Sequence, residues 1–243
     1  MSNKKSALIT GANKGIGLEI ARQLGRLEYR VWLGCRDEGR GARAAEGLRA
    51  EGLDAGELLL DVTDDDGVAA AAGRLEHLDV LVNNAGVSLG MAESVTRDSL
   101  EEMRQMFEVN ALGPVRVTRA FLPLLRRSPA PRIVMMSSSL GSIGRTLDMG
   151  RGGWEAGYAG YSASKSALNM FTAKLAKELL GEPFKVNAAC PGFTATDLNY
   201  HAGFRGVEEA ARVAVALATL NALGPTGGFF DDGHTAELNR LPW

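Results

Sequence analysis

The sequence is poor in several things, and each shortage removes a class of protein. It has two cysteines in 243 residues, Cys35 and Cys190, each in an apolar, strand-like run. No disulfide framework follows from that; both read as buried thiols in a reducing compartment. The three histidines, His77, His201 and His234, lie far apart and in no ligand-like spacing, so no metal site is expected. The formal net charge is only −2, which gives neither nucleic acid nor an anionic membrane an electrostatic hold. No apolar run approaches the length of a membrane span, and Met1 to Lys5 is polar with no signal-peptide core behind it. The expected location is the cytoplasm. Repeats, linkers and breaks in composition are missing as well, so 1–243 is expected to form one domain.

Glycine, by contrast, is plentiful, with 30 residues scattered rather than clustered. Such scatter implies tight turns and close backbone approaches. The first group matters most. Ser6-Ala7-Leu8-Ile9-Thr10 reads as a buried strand, and Gly11-Ala12-Asn13-Lys14-Gly15-Ile16-Gly17 interrupts it. Ile16, Ile20, Ala21 and Leu24 then recur with the period of a helix. A strand, a glycine-rich turn and a helix N-terminus together aim backbone N–H groups and the helix dipole at an anion, normally a pyrophosphate. An ordinary strand-to-helix turn is the plainer reading; the position at the start of an α/β pattern favours phosphate.

The second strand, Arg30 to Gly34, ends at Cys35-Arg36-Asp37. In this architecture a carboxylate there would take the adenosine ribose hydroxyls, and a cation would take a 2′-phosphate. Arg36, with Lys14 in the glycine loop, favours NADP(H) over NAD(H). Asp37, one residue further on, argues the other way.

Helical patterns over 39–51, 65–76 and 207–221 alternate with strand-like runs over 57–60, 79–82, 132–136, 185–189 and 228–230. The expected fold is α/β, a Rossmann-type doubly wound parallel sheet of about seven strands flanked by helices. In such sheets ligands sit at the carboxyl ends of strands, and those ends carry polar residues here. Asp61-Val62 offers a carboxylate to an adenine amino group, or an ordinary turn. Asn83-Asn84-Ala85-Gly86 can bridge neighbouring strands and leave room beside a ribose. Ser137-Ser138-Ser139 follows the next strand, and Cys190-Pro191-Gly192 the one after. A long helical stretch from Ser99 to Arg127, interrupted at Gly113-Pro114, holds Asn110, which either bends the helix or holds a water. Residues 140–157, with Arg145, Met149, Arg151 and Trp154, read as a loop over the strand ends, and 193–206 as a second.

Between those loops lies Tyr161-Ser162-Ala163-Ser164-Lys165. Helix positions four apart share a face, so a phenol and an ammonium can share one small site. A nearby cation favours the ionised phenol and pulls its pKa of about 10 towards neutrality, which suits a proton donor. The spacing alone is common on surface helices, and its meaning depends on the other motifs.

Those motifs are Thr10 to Gly17, Asn83 to Gly86, Asn110, Ser138, Tyr161 to Lys165 and Pro191-Gly192, in the order seen in short-chain dehydrogenases/reductases. The sequence resembles that family over most of its length. Gly11 to Gly17 and Asn187-Ala188-Ala189-Cys190-Pro191-Gly192 look particularly like its NADPH-preferring carbonyl reductases. The resemblance implies reversible, NADPH-dependent reduction of a small ketone or aldehyde. It implies that Tyr161 protonates the carbonyl oxygen as hydride arrives from nicotinamide C4. Lys165 would lower the phenol pKa and bind the nicotinamide ribose. Ser138, with Ser139 as the alternative, would hydrogen-bond the substrate oxygen, and Asn110 would keep a water that feeds protons to Lys165. For the cofactor it implies Gly11, Asn13, Lys14, Gly15, Ile16 and Gly17 in the first loop, then Arg36, Asp61 and Val62. Asn84, Ala85 and Gly86 follow, with Pro191, Gly192, Thr194 and Thr196 at the carboxamide.

Two departures bear on what the resemblance implies. Ser138 and Tyr161 are 23 positions apart, longer than in compact members, so 140–157 is expected to include an insertion. Insertions there accompany a monomeric state in some carbonyl reductases, which leaves monomer, homodimer and tetramer open. Tyr158 also competes for the role of acid, but only Tyr161 has a lysine four residues later. A non-catalytic NADP-binding regulatory or scaffold protein would not need the Asn110, Ser138, Tyr161 and Lys165 set. An epimerase or dehydratase would need a larger C-terminal region than the roughly 50 residues after Gly192. Leu140, Trp154, Phe193 and Tyr200 could line an apolar pocket or simply pack the loops, and no charge obviously awaits a substrate carboxylate.

Overall fold

Parallel strands in the middle of a sheet bury both faces, and the first strand shows it. In the computed structural model, which describes residues 4–90, 95–148, 157–233 and 237–243, β1 (Ser6–Thr10) is buried throughout. Ala7 and Ile9 pack on one side of the sheet and Leu8 on the other, as the two-residue period requires. Around it lie β2 (Arg30–Cys35), β3 (Ala55–Leu59), β4 (Val80–Asn83), β5 (Arg132–Met136), β6 (Lys185–Ala189) and β7 (Gly228–Asp231). The order is β3-β2-β1-β4-β5-β6-β7, all parallel, and a two-residue β8 (Asn239–Arg240) adds antiparallel to β7. The sheet is thus the expected seven strands with one short edge strand added.

Three helices, α1 (Gly15–Arg26), α2 (Glu38–Ala50) and α8 (Val207–Ala218), cover one face, through Ile20, Leu24, Leu48 and Leu217. The other face is covered by α3 (Asp65–Gly73), α5 (Gly113–Leu125) and α7 (Ala159–Glu178), through Val68, Phe121 and Leu168. Against α7 packs α4 (Leu100–Phe107). Fully buried side chains such as Leu8, Ile9, Ile20, Leu24, Leu81 and Phe121 contribute roughly 1.5–3 kcal/mol each. Two cores of that kind hold the scaffold whatever the loops at the strand ends do. The strand order reverses between β1 and β4, and a crevice opens at their carboxyl ends.

Two local expectations change. The helical stretch is not interrupted at Gly113-Pro114: residues Glu108–Leu112 form a π-helical turn that joins α4 to α5. Pro114 sits in the first turn of α5, where a missing N–H is harmless, so proline was the wrong signal for a break. Part of the expected loop after β5 is helical, with a 3-10 turn at Ser139–Gly141 and a short α6 (Ile143–Thr146). Met149, Arg151 and Trp154 lie outside the described residues.

Candidate active site

The turn after β1 is shaped by its glycines. Gly11 has φ +65°, and a Cβ on Gly17 would fall 2.4 Å from Asn84 Nδ2 and 2.6 Å from the Gly11 carbonyl. Asn84 fills that space itself. Its Nδ2 donates to the Thr10 carbonyl at 2.9 Å, while its backbone N–H donates to Thr10 Oγ1 at 2.9 Å. The bridge between β1 and β4 is therefore made by Asn84; Asn83 is buried and donates to Thr118 Oγ1. No side chain caps α1, and its first turn carries no acidic residue. An uncapped helix N-terminus beside backbone that no side chain can fill suits the pyrophosphate of a dinucleotide.

At the end of β2, Arg36 is exposed and reaches the same cleft. Asp37 points elsewhere, and its carboxylate accepts the Arg40 N–H at 2.8 Å and caps α2. The carboxylate that argued for NAD(H) is thus engaged in starting a helix. Asp61 lines the cleft while its Oδ1 accepts from the Thr63 N–H at 2.9 Å and hydroxyl at 2.7 Å. Burial pushes its carboxyl up, but the Thr63 bonds and the charges of Arg36 and Arg116 prevail and hold it below the usual range. Lys14 is paired with Asp197, and the other oxygen of Asp197 meets His201 Nε2 at 2.8 Å.

At the opposite end stand Tyr161 and Lys165, on the first turns of α7. The Tyr161 phenol lies beside Ser138, whose side chain favours the ionised phenol. Lys165 is buried, its Nζ donates to the Met136 carbonyl at 2.8 Å, and it lies 5.6 Å from the centre of the Tyr161 ring. The lowered phenol pKa expected from the lysine is not what the packing gives. Burial pushes the phenol above its ordinary value, with Cys190 adding to the rise and Ser138 opposing it. It is the lysine that comes down, to about 8, because burial disfavours its charge more than Cys190 supports it. The sequence could not show this, since it does not reveal how deeply the pair is packed.

Glycine also sets the approach of α7: a Cβ on Gly141 would meet Lys165 Cβ at 2.7 Å. The Gly141 carbonyl accepts from Ser166 Oγ at 2.9 Å and Asn169 Nδ2 at 3.0 Å, which ties the turn after Ser138 to the helix.

One cleft of about 760 Å³ joins the two ends. Its lining includes Gly11, Asn13, Lys14, Gly15, Ile16 and Gly17 from the first loop, and Arg36, Asp61 and Val62 from the next two strand ends. Asn84, Ala85 and Gly86 line its middle, with Tyr161, Lys165, Pro191 and Thr196 beyond. Ser138, Asn110, Gly192 and Thr194 are not part of that lining: Asn110 and Thr194 are buried, Ser138 is half-buried and Gly192 is exposed. Thr194 is buried, and its hydroxyl donates back to the carbonyls of Pro191 and Gly192. Residues that the sequence did not mark include Val109, exposed to the cleft by the π turn, and Leu89, Asp197, Leu198 and His201. No local signal names Asp197, whose lysine partner is 183 positions away.

Asn110 is fully buried in the π turn. Its Oδ1 accepts the Val87 N–H at 2.8 Å, and its Nδ2 donates to the Val87 carbonyl at 2.8 Å and to Ser164 Oγ at 3.0 Å. The side chain thus ties the loop after β4 to α7. Asn110→Leu should strand the Val87 amide and carbonyl and destabilise the fold by about 2–4 kcal/mol. Calorimetry should then read a Tm lower by roughly 5–15 °C. An unchanged Tm would show that the tie is dispensable.

Among the described residues no group of side chains could hold a metal ion, and no helix is long and apolar enough to cross a membrane. A doubly wound sheet with one strand-end cleft, and a Tyr–Ser–Lys group at its far end, defines an α/β oxidoreductase. The family profile described as short chain dehydrogenase matches residues 5–203, and the chain belongs to that family of dehydrogenases and reductases. It is 36% identical to (-)-isopiperitenone reductase of Mentha piperita, over 93% of this chain and 96% of that protein. That alignment runs to 303 positions, so at least 60 of them fall opposite gaps in this 243-residue chain. The structure of salutaridine reductase from Papaver somniferum superposes with a TM-score of 0.81 at 31% identity, covering 94% of this chain and all of that one. An NADPH-bound carbonyl reductase from chicken fatty liver gives 0.82 at 26%, with full coverage of both.

Proposed function

We propose that this chain is an NADPH-dependent carbonyl reductase that converts a neutral ketone or aldehyde to an alcohol, reversibly. The observation that carries the reading is one cleft with an exposed Arg36 at one end and Tyr161 and Lys165, beside Ser138, at the other. The mint reductase and the NADPH-bound chicken enzyme support it. NADPH bound along the glycine loop would supply a hydride from nicotinamide C4.

The chain's own residues do the rest. Tyr161, kept as a neutral phenol by its burial, gives its proton to the carbonyl oxygen. Ser138, beside that phenol, hydrogen-bonds the same oxygen and fixes its direction. Lys165, poised at about 8, returns a proton to the pair and steadies the developing phenolate. Leu89 and Leu198 in the cleft wall suit an apolar substrate. Two buried free thiols suit a reducing cytoplasm.

The test is an NADPH-oxidation screen over ketones, aldehydes, quinones and β-keto esters. Binding without turnover would leave the scaffold reading. Arg36→Asp should raise the KM for NADPH by about 10–100-fold, the loss of one charge-assisted phosphate contact, and leave NADH little changed. An equal response to both cofactors would remove Arg36 from 2′-phosphate recognition.

A further inference from the structure

The segment after β6 closes on itself. Phe204 and Arg205 both donate their N–H groups to the Phe193 carbonyl, at 3.2 and 3.1 Å, and Ala195 donates to the Arg205 carbonyl at 2.9 Å. Residues 193–205 therefore leave the sheet and return to one neck. At that neck Arg205 turns its guanidinium inward, with only 4% of the residue exposed. Nη1 and Nη2 hold the Asp232 carboxylate at 2.9 and 2.7 Å, and Nη1 also donates to the Pro191 carbonyl at 3.0 Å. Gly192, at φ +74°, lies against the same side chain: a Cβ there would meet Arg205 Cδ and Nη1 at 2.9 Å. Nε has no partner among the described residues.

A buried ion pair is a poor way to stabilise a fold, because apolar residues of the same volume do as well or better. Its distinct property is direction. A planar fork fixed by one carboxylate can hold a carbonyl at one place, as a packed methyl group cannot. The carbonyl it holds belongs to Pro191, which lines the cleft on the same side as Tyr161 and Lys165. The strand end itself is already anchored on both sides, by Ser137 N–H to the Ala189 carbonyl and Cys190 N–H to the Phe230 carbonyl, each at 2.7 Å. What Arg205 adds is control of the turn beyond that anchor.

We propose that Arg205, clamped by Asp232, is a positioning residue for the nicotinamide end of the cleft, setting the Pro191–Gly192 turn against which the ring and carboxamide rest. The proposal rests on the reading of the site as a nicotinamide-dependent reductase. Its predicted signature is selective: the adenosine end should not notice its loss, and the reacting end should.

The test compares the full-length protein with Arg205→Met/Asp232→Leu, which replaces the pair by apolar side chains, and with Arg205→Lys, which keeps the charge but not the fork. Binding of 2′,5′-ADP reports the adenosine end alone. The fluorescence change of NADPH on binding reports the ring, and kcat with C4-deuterated NADPH reports hydride transfer. The double variant should melt within about 5 °C of wild type. It should bind 2′,5′-ADP within about twofold, as distant sites do. The bound-NADPH fluorescence signal should be lost or shifted, and kcat should fall by about 100-fold with a larger isotope effect, as a misplacement of about 1 Å can cause. Arg205→Lys should lie between the two.

A folded double variant with wild-type fluorescence and kcat would overturn the proposal. So would a parallel loss of 2′,5′-ADP affinity, which would mark a general structural role. If the double variant does not fold, Arg205→Lys decides by the same split between the two ends. A wild-type protein that neither binds nor oxidises NADPH would overturn the reductase reading and this proposal with it; wild-type turnover with an indifferent Arg205 overturns the proposal alone.

Discussion

Tyr161→Phe should lower kcat for carbonyl reduction by about a thousandfold while NADPH still binds within about twofold. The substitution removes one oxygen and leaves the ring, so the packing of α7 is untouched. What is lost is the proton donor and the partner of Ser138. The size of the effect follows from the worth of a positioned general acid, roughly 10²–10⁴ in rate. Stopped-flow reduction with saturating NADPH and a fluorescence titration of the cofactor would measure the two halves. Retained turnover would move the acid elsewhere, and Tyr158 would be the first place to look. It is a poor candidate: it stands before α7 with φ +60°, and the residue four positions later is Ser162 rather than a lysine.

Lys165→Met should lower reduction by about 100-fold and also flatten its pH profile. The sign follows from the direction of the lysine shift. Burial brings Lys165 down from its ordinary 10.5 to about 8, so the ammonium dominates below that pH and the neutral amine above it. Both of its roles, returning a proton and steadying a phenolate, need the ammonium. The wild-type rate of reduction should therefore hold at neutral pH and fall as pH rises through about 8. The opposite reaction, which needs the proton removed, should rise over the same interval. The apparent value belongs to the Tyr161–Lys165 pair rather than to either group alone. If the Met variant keeps the alkaline fall, another group carries the titration and Lys165 is not its source.

Much of this was legible from residue order because the physics involved is local. Buried strands such as Ser6–Thr10 announce themselves by apolar content, and α1 by its 3.6-residue rhythm. The glycine loop is legible because backbone approach excludes a Cβ, a constraint written at single positions such as Gly17. The failures share a different cause. Asn110 looks like a helix defect until Val87 and Ser164 arrive from elsewhere in the fold. The two carboxylates that matter beyond the motifs, Asp197 and Asp232, are recognised only by their partners Lys14 and Arg205. The Tyr161 phenol shifts up rather than down because a spacing rule records proximity and says nothing of desolvation. Long-range pairing and packing depth are properties of the assembled chain.

The 193–205 segment is fastened at two places of very different character. Its neck is held by Arg205 and Asp232, away from solvent, whereas Asp197 meets Lys14 with 53% and 58% of their side chains exposed. An exposed pair of that kind contributes at most about 1 kcal/mol, little more than thermal energy, and dissolved ions screen it over about 10 Å. Salt should therefore weaken the tie between the far edge and the glycine loop and leave the neck unaffected. If the dinucleotide binds as proposed, its traffic through the cleft and precision at the reacting carbon would fall to opposite ends of one loop. Ionic strength should then act on the first and leave the second alone.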